Sequence, residues 1–125
     1  MIVDESDNIL CARGAISGIW SLPKGCQDNY AETYKETAIR ETYEEIGIKF
    51  DLSKNDKYIS FQRFKYFVVK ITNSMKKLMN KNIKLQLKEI VGWKWIHYDD
   101  LQNHHTNASL QYIRNNYDNI IKNYS

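Results

Sequence analysis

The first structural signal in the chain is a series of short hydrophobic runs separated by turn residues, a pattern that predicts β-strands. Valine, isoleucine and aromatic residues are concentrated in these runs, as is typical of strands. A loop is predicted from Gly14 to Gly18. The predicted strands cover residues 1–4, 9–13, 19–22, 58–61, 64–71 and 91–98.

One helix is predicted between the third and fourth of these strands, over residues 33–46. It begins with Thr33-x-x-Glu36, a capping box in which a threonine and a glutamate satisfy the first free backbone amides of a helix. Gly47 follows its last residue and is well suited to the left-handed conformation that ends many helices. Both ends of this helix are therefore defined by the sequence.

The rest of the chain completes an alternating pattern. Residues 73–88 are polar and basic, and only part of them is predicted to be helical. A last helix is predicted after Thr106 or Asn107, with one apolar stripe formed by Leu110, Ile113, Tyr117, Ile120, Ile121 and Tyr124. Strands, a helix, more strands and a closing helix predict an α/β/α sandwich on a mixed β-sheet.

Length and composition restrict the class of protein. The 125 residues fit a single domain, 1–125, and 42% hydrophobic with 26% charged residues is typical of a globular protein. No apolar run approaches the roughly 20 residues of a membrane span. The first residues contain neither a basic nor an apolar leader segment, so we expect a cytoplasmic protein, in the host cytoplasm if its source is a virus.

The net charge of +3 hides a strong asymmetry. Residues 28–51 contain seven acids and three bases, whereas residues 54–94 contain eleven bases and two acids. An acidic element within a basic surround suits a metal site whose substrate is a polyanion. Ordinary solvated surface charge would give the same counts.

The predicted helix ends in an acidic cluster, Glu41, Glu44 and Glu45. Glutamates three and four residues apart lie on one side of a helix and repel each other by roughly 0.2–0.5 kcal/mol per pair. Their place near the negative end of the helix dipole costs about 0.3–1 kcal/mol each. Local rules that fail together indicate a functional site. A few carboxylates in one place suit Mg²⁺ or Mn²⁺, although a solvated cluster has the same spacing.

The residues around this cluster closely resemble the Nudix box. The matching pattern is Trp20-Ser21-Leu22-Pro23-Lys24-Gly25, then Glu32, seven residues, and Arg40-Glu41-x-x-Glu44-Glu45-x-Gly47-Ile48. Two positions depart from the family pattern: six residues instead of five separate Gly25 from Glu32, and Thr42 replaces an aliphatic residue.

The resemblance implies a fold, an activity and a set of roles. It implies the Nudix sandwich and hydrolysis of a phosphoanhydride bond. Glu41, Glu44 and Glu45 would bind the divalent metal together with the backbone carbonyl of Gly25. Arg40 would pair with Glu32 and brace the loop against the helix.

Three features of the sequence resemble the catalytic domain of mRNA-decapping Nudix enzymes. They are Trp-x-x-Pro-Lys-Gly before the helix, Ala38-Ile39-Arg40-Glu41 within it, and Lys88-Glu89-Ile90 before the last strand. In that group a glutamate on the loop before the last strand approaches the metal and is a candidate general base. Glu89 occupies the corresponding position in this sequence. The catalytic residues implied are therefore Glu41, Glu45 and Glu89, with Glu45 and Glu89 as alternative bases.

The basic stretch before Glu89 suits an anionic substrate. Lys76, Lys77, Lys81, Lys84 and Lys88 have the charge to neutralise an RNA backbone or a polyphosphate, or serve only solubility. We predict that Lys24, Lys84 and Lys88 bind substrate phosphates. Among the nearby aromatic residues, a base could stack on one or two, with sheet core as the alternative role. These residues are Tyr58, Phe61, Phe64 and Tyr66.

The sequence thus predicts a metal-dependent decapping enzyme that releases methylguanosine diphosphate from capped RNA. Diphosphoinositol polyphosphates and dinucleoside polyphosphates are alternative substrates. A Nudix module that binds nucleotide or RNA without hydrolysis is a third reading.

Overall fold

The computed structural model describes residues 1–23, 32–86 and 88–124. The elements in these ranges are β1 (Ile2–Val3), β2 (Asn8–Gly14), β3 (Trp20–Ser21), α1 (Tyr34–Ile46), β4 (Tyr58–Phe61), β5 (Phe64–Phe67), β6 (Val69–Lys70), α2 (Asn73–Asn82), β7 (Ile90–His97), a 3₁₀ helix (Tyr98–Asn103), α3 (Ala108–Asn115) and α4 (Tyr117–Tyr124). Within these described ranges, no helix has the length and hydrophobicity needed to cross a membrane.

Strand β2 is the centre of the main sheet. Strand β7 pairs antiparallel along one edge of β2, from Asn8 opposite His97 to Gly14 opposite Ile90. Strands β1 and β3 share the other edge of β2, and both are antiparallel to it. Strand β6 then pairs parallel with β1. The sheet is therefore mixed, as the sequence predicts.

The two faces of this sheet bury separate hydrophobic clusters. Side chains of neighbouring residues in a strand point to opposite faces, and residues of β1 and β2 alternate between the clusters accordingly. Val3, Ile9 and Cys11 belong to the cluster that contains α3 and α4 residues. Ile2 and Leu10 belong to the cluster that contains Ile46 of α1 and Met79 of α2. Helices thus cover both faces, which confirms the α/β/α sandwich.

The predicted strand 64–71 is two strands that belong to different sheets. Residues 64–67 form β5, which pairs with β4 in a separate two-stranded hairpin. Residues 69–70 form β6, which pairs with β1 in the main sheet. The buried residue Val68 lies between them, and its carbonyl accepts a hydrogen bond from the Asn55 side chain at 3.1 Å. Hydrophobicity runs through the whole segment because both halves are partly buried, so periodicity alone cannot locate the change of partner.

The last predicted helix is also divided. Asn116 ends α3 with φ −121° and ψ 16°, and its N–H donates to the carbonyls of Ile113 and Tyr112. Helix α4 starts at the next residue. The apolar stripe continues across the break, since Leu110, Ile113, Tyr117 and Ile120 all lie in one buried cluster.

The ends of α1 agree with the predicted caps. The Thr33 side chain accepts a hydrogen bond from the backbone N–H of Glu36 at 3.1 Å. Gly47 has φ 74°, in the left-handed region, and its N–H donates to the Tyr43 carbonyl at 2.8 Å. Helix α2 accounts for the helical part of residues 73–88, with Thr72 as its capping residue.

One lysine of the basic stretch, Lys76, has a structural role. Asp4 is buried, with 1% of its surface exposed, and it accepts hydrogen bonds from Ser6, Asn8 and Lys76. The Lys76 ammonium lies 2.5 Å from the Asp4 carboxylate and 4.8 Å from the centroid of the Trp95 ring. Burial acts to raise the pKa of Asp4, but the hydrogen bonds from Lys76, Asn8 and Ser6 outweigh it and hold the pKa below its usual value.

We expect Lys76→Met to lower the free energy of unfolding at pH 7 by about 2–3 kcal/mol, because it leaves a buried carboxylate without its cation. Lys77→Met is the matched control, since Lys77 is an exposed residue of the same helix. A carboxyl whose pKa is lower in the folded than in the unfolded protein stabilises the fold at pH values above its pKa in the unfolded chain, about 4. That contribution is lost as the pH falls through its pKa in the folded protein. Urea unfolding should therefore show a deficit that shrinks in acid. Equal effects of the two substitutions would contradict this role for Lys76.

Candidate active site

Glu32 and Arg40 form the best-defined ion pair of the site. Arg40 Nε donates to Glu32 Oε2 at 2.8 Å, and Arg40 Nη2 donates to Glu32 Oε1 at 3.0 Å. The buried hydroxyl of Thr37 also donates to Glu32 Oε1, at 2.7 Å. The hydrogen bonds to Glu32, more than those to other carboxylates, raise the pKa of Arg40 above its usual value. Glu32 and α1 are therefore held together by a two-pronged ionic contact.

The same guanidinium reaches two glutamates of the acidic cluster. Arg40 Nη1 lies 2.8 Å from Glu41 Oε1 and 3.3 Å from Glu44 Oε2. The Glu41 side chain is 17% exposed and the Glu44 side chain 52% exposed, so the cluster opens toward solvent on the Glu44 side. Three carboxylates thus converge on one positively charged group.

This convergence is relevant to the predicted metal site. In residues 1–23, 32–86 and 88–124, no three acidic, histidine or cysteine side chains are close enough to each other to hold a metal ion. The carboxylates of Glu41 and Glu44 are each paired with the Arg40 guanidinium instead. Oxygen donors of this kind suit Mg²⁺ or Mn²⁺. Gly25 and Lys24, predicted as a metal ligand and a phosphate-binding residue, lie outside the described residues.

A short extended segment, residues 83–86, covers the end of α1, and we call it the α1 strap. Its backbone amides satisfy two of the last carbonyls of the helix: Lys84 N donates to Ile46 O at 2.8 Å and Gln86 N to Glu45 O at 3.1 Å. Carbonyls at a helix end have no partner within the helix, so these bonds stabilise it. The backbone of Lys84, a residue predicted to bind phosphate, therefore lies against the C-terminal end of α1.

The α1 strap also fixes the backbone of Glu89. Gln86 O accepts from Glu89 N at 3.0 Å, while Gln86 N binds the Glu45 carbonyl. Glu89 O accepts from Ala15 N at 2.7 Å, so the loop is tied to the end of β2 as well. One residue of the α1 strap thus connects the backbones of both predicted general bases. Lys88 is exposed beside Glu89.

A side chain at Gly47 would be crowded at this junction. A Cβ built on Gly47 would lie 3.1 Å from Lys84 Cβ and 3.1 Å from the Lys84 carbonyl oxygen. Its φ of 74° is also unfavourable for residues with a side chain. Gly47→Ala should therefore displace the α1 strap and lower the free energy of unfolding by about 1–3 kcal/mol.

Gly92→Ala is a matched control for this prediction. A Cβ at Gly92, in β7, meets nothing within 4 Å. Thermal unfolding should show a lower melting temperature for Gly47→Ala and little change for Gly92→Ala. A wild-type melting temperature for Gly47→Ala would contradict the tight junction.

A cavity of about 440 Å³ lies between α1 and the β4–β5 hairpin. Thr37 and Ala38 line it on the helix side. They share a helix face with Glu41 and Glu45, since residues three and four apart are neighbours on a helix surface. The cavity therefore opens along the same face as the acidic cluster. Its aromatic walls are Tyr34, Phe50, Phe64, Tyr66 and Phe67.

The cavity was not predicted from the sequence, because its two walls are distant in the chain. Arg63 and Lys65 add positive charge to the hairpin side. Among the aromatic residues considered for stacking, Tyr66 is 3% exposed and its hydroxyl donates to Ser109, so it serves the core. Phe64 lines the cavity and Tyr58 is 38% exposed. The concentration of aromatic residues in the hairpin was the available sequence signal.

Comparisons with known proteins agree with this architecture. The model of the NUDIX domain family matches residues 1–116. The m7GpppN-mRNA hydrolase dcap-2 of Caenorhabditis elegans is 34% identical in an alignment 105 residues long, which covers 78% of this chain but only 12% of that protein.

Two solved structures are similar in fold. A C. elegans Ap4A hydrolase in a binary complex has a TM-score of 0.66 at 20% identity, over 97% of this chain and 93% of that one. The MutT protein from Methanosarcina mazei Go1 has a TM-score of 0.61 at 20% identity, over 98% of this chain and 91% of that one. The family match extends over nearly the whole sandwich and includes the ion-paired helix. The chain therefore belongs to the Nudix family and has the α/β/α fold of its members.

Proposed function

We propose that this chain removes the cap of RNA, hydrolysing the phosphoanhydride chain to release methylguanosine diphosphate. The observation that carries the chemistry is the convergence of carboxylates at the end of α1, beside a cavity large enough for a nucleotide. The identity of 34% to a decapping enzyme, over 78% of the chain, supports capped RNA as the substrate.

The proposed metal is Mg²⁺ or Mn²⁺, bound by Glu41, Glu44 and Glu45 with the Gly25 carbonyl. Such an ion neutralises charge on phosphoryl oxygens and lowers the pKa of a bound water. Arg40 already brings Glu41 and Glu44 together, so little rearrangement of the backbone is needed. Arg40 itself stays paired with Glu32 and acts as a brace.

A glutamate would accept the proton of the attacking water, and two glutamates are candidates for this role. Glu45 is on α1 itself, and Glu89 is on the loop whose backbone the α1 strap ties to Glu45. The phosphate chain would be bound by lysines at the edge of the acidic cluster. For this role we propose Lys24, Lys84 and Lys88, of which Lys84 lies against the end of α1.

The cavity favours a nucleotide over other polyphosphates. Aromatic walls stack on bases, and Arg63 and Lys65 suit an anionic neighbour. A diphosphoinositol polyphosphate has no base to place there. A dinucleoside polyphosphate does, and the likeness in fold to an Ap4A hydrolase favours it as the second candidate. A module that binds nucleotide without hydrolysis is the third.

The substrate is tested by incubating the protein and Mn²⁺ with four compounds in parallel: capped RNA, free cap dinucleotide, a dinucleoside polyphosphate and a diphosphoinositol polyphosphate. Chromatography of the products should show methylguanosine diphosphate from capped RNA in preference to the free cap. Faster hydrolysis of either of the last two compounds would overturn the decapping assignment. Binding of RNA without hydrolysis of any compound would favour the binding module.

A further inference from the structure

Two exposed tyrosines, Tyr34 and Tyr58, lie next to each other where α1 meets the β4–β5 hairpin. Tyr34, the first residue of α1, is 44% exposed and lines the cavity, and Tyr58 of β4 is 38% exposed. Their ring centroids are 6.2 Å apart. The Lys65 ammonium lies 5.4 Å from each of the two centroids. We call this pair the tyrosine platform.

Residues of the β4–β5 hairpin pack against Tyr58 of the tyrosine platform. Cross-strand pairing in the hairpin places Tyr58 opposite Phe67 and Ser60 opposite Lys65, so these four residues share one hairpin face. The buried ring of Phe67 packs edge-on against Tyr58 at 5.4 Å between centroids. The platform is therefore a supported aromatic surface with a cation beside both rings, and tyrosines of this kind are enriched where proteins bind ligands.

The platform lies in line with the acidic cluster. Tyr34, Ala38, Glu41 and Glu45 follow one face of α1 at intervals of three or four residues. Tyr34 and Glu45 are separated by about 16 Å along the helix axis. From the carboxylates, this face leads first to the cavity and then to Tyr34 and Tyr58.

The charge around the platform complements a nucleic acid strand. Arg63 and Lys57 are exposed on the hairpin or just before it, and Lys65 contacts both platform rings. Lys35 is paired with Asp56 at 2.8 Å, which leaves that acid partly neutralised. Single strands bind where aromatic rings stack on bases and cations follow the backbone.

We infer that the RNA body leaves the active site along this face of α1. The cavity takes the first transcribed nucleotide, and the tyrosine platform stacks one or two of the following bases of the single strand. The cap then lies on the other side of the carboxylates, toward the α1 strap and Glu89. The placement of the cap and the RNA body on opposite sides of the carboxylates rests on the proposed decapping function. The binding of RNA by the tyrosine platform does not depend on hydrolysis.

The binding test uses an uncapped ten-nucleotide RNA in EDTA, where no hydrolysis occurs, with fluorescence anisotropy as the readout. Tyr58→Ala and Tyr34→Ala should each weaken binding about tenfold, the effect of losing one stacked base. Tyr58→Phe keeps the ring and should bind like the wild type. Tyr43→Ala is the matched control, because Tyr43 is 56% exposed and lies about two and a half turns from Tyr34, on the opposite face of α1.

A second experiment tests the direction in which the RNA leaves the active site, and it uses capped RNAs of one, two, four and ten nucleotides. In the wild type, KM should fall as nucleotides are added beyond the first, and Tyr58→Ala should remove that dependence on length. Equal losses of oligonucleotide binding in Tyr58→Ala and Tyr43→Ala would overturn the platform, as would a wild type that does not bind the oligonucleotide. Oligonucleotide binding with no decapping would reject the proposed function and keep the platform.

Discussion

Glu45→Gln is expected to lower the rate of hydrolysis by about a thousandfold, with no loss of folded structure. Both roles open to Glu45, metal ligand and general base, need a negatively charged oxygen, and the amide keeps the shape of the side chain without the charge. General-base catalysis alone contributes about 10²–10⁴ in rate. The backbone bonds that hold this end of α1, from Gln86 N to Glu45 O and from Gly47 N to Tyr43 O, do not involve the side chain.

Glu36→Gln is the control for this substitution. Glu36 is an exposed glutamate in the first turn of the same helix, outside the acidic cluster. Rates should be measured at saturating Mn²⁺ with far-ultraviolet circular dichroism on each variant. A wild-type rate of hydrolysis in Glu45→Gln would contradict the proposed mechanism. If Glu36→Gln lost as much activity as Glu45→Gln, the loss would reflect destabilisation of the helix and not the role of Glu45.

Arg40→Met is expected to reduce both activity and stability. It removes the cation on which Glu32, Glu41 and Glu44 converge, and with it the paired contact to the Glu32 carboxylate, which is only 14% exposed. Losing one partner of a buried ion pair costs about 3–5 kcal/mol. Since the Arg40 side chain is 25% exposed, we expect about 1–2 kcal/mol, measured by urea unfolding.

The activity of Arg40→Met should fall about 10–100-fold, as is usual when a residue that orients metal ligands is lost. Arg40→Lys discriminates between charge and geometry, because lysine keeps the positive charge but cannot make the paired contact with both Glu32 oxygens. We expect Arg40→Lys to recover part of the stability and little of the activity. Full activity in Arg40→Met would show that the glutamates are positioned without it.

The sequence predicted the elements whose signals are local. The caps of α1 are set by Thr33, Glu36 and Gly47, all within a few residues of the helix ends. The contact of Arg40 with Glu32 follows from a family pattern of fixed spacing, since both residues are near one helix. The Glu32–Arg40 contact could therefore be predicted before the fold was known.

Features that depend on contacts between distant parts of the chain could not be predicted from the sequence. Val68 divides one hydrophobic run between two sheets, and nothing in the run itself specifies two partners. Lys76 looked equivalent to its neighbouring lysines until folding placed it against Asp4, seventy-two positions earlier in the chain. The cavity and the tyrosine platform likewise join α1 to a hairpin that the sequence shows only as aromatic strands.

Mn²⁺ binding to the helix glutamates tests the central claim most directly. Calorimetric titration of the wild type should show binding that weakens at least tenfold in Glu41→Gln and in Glu45→Gln, with Glu36→Gln as the control that binds like the wild type. A ligand lost from a small set of carboxylates has an effect of this size or larger. Unchanged Mn²⁺ affinity in a variant with Glu41, Glu44 and Glu45 all replaced by glutamine would contradict a metal site at the end of α1.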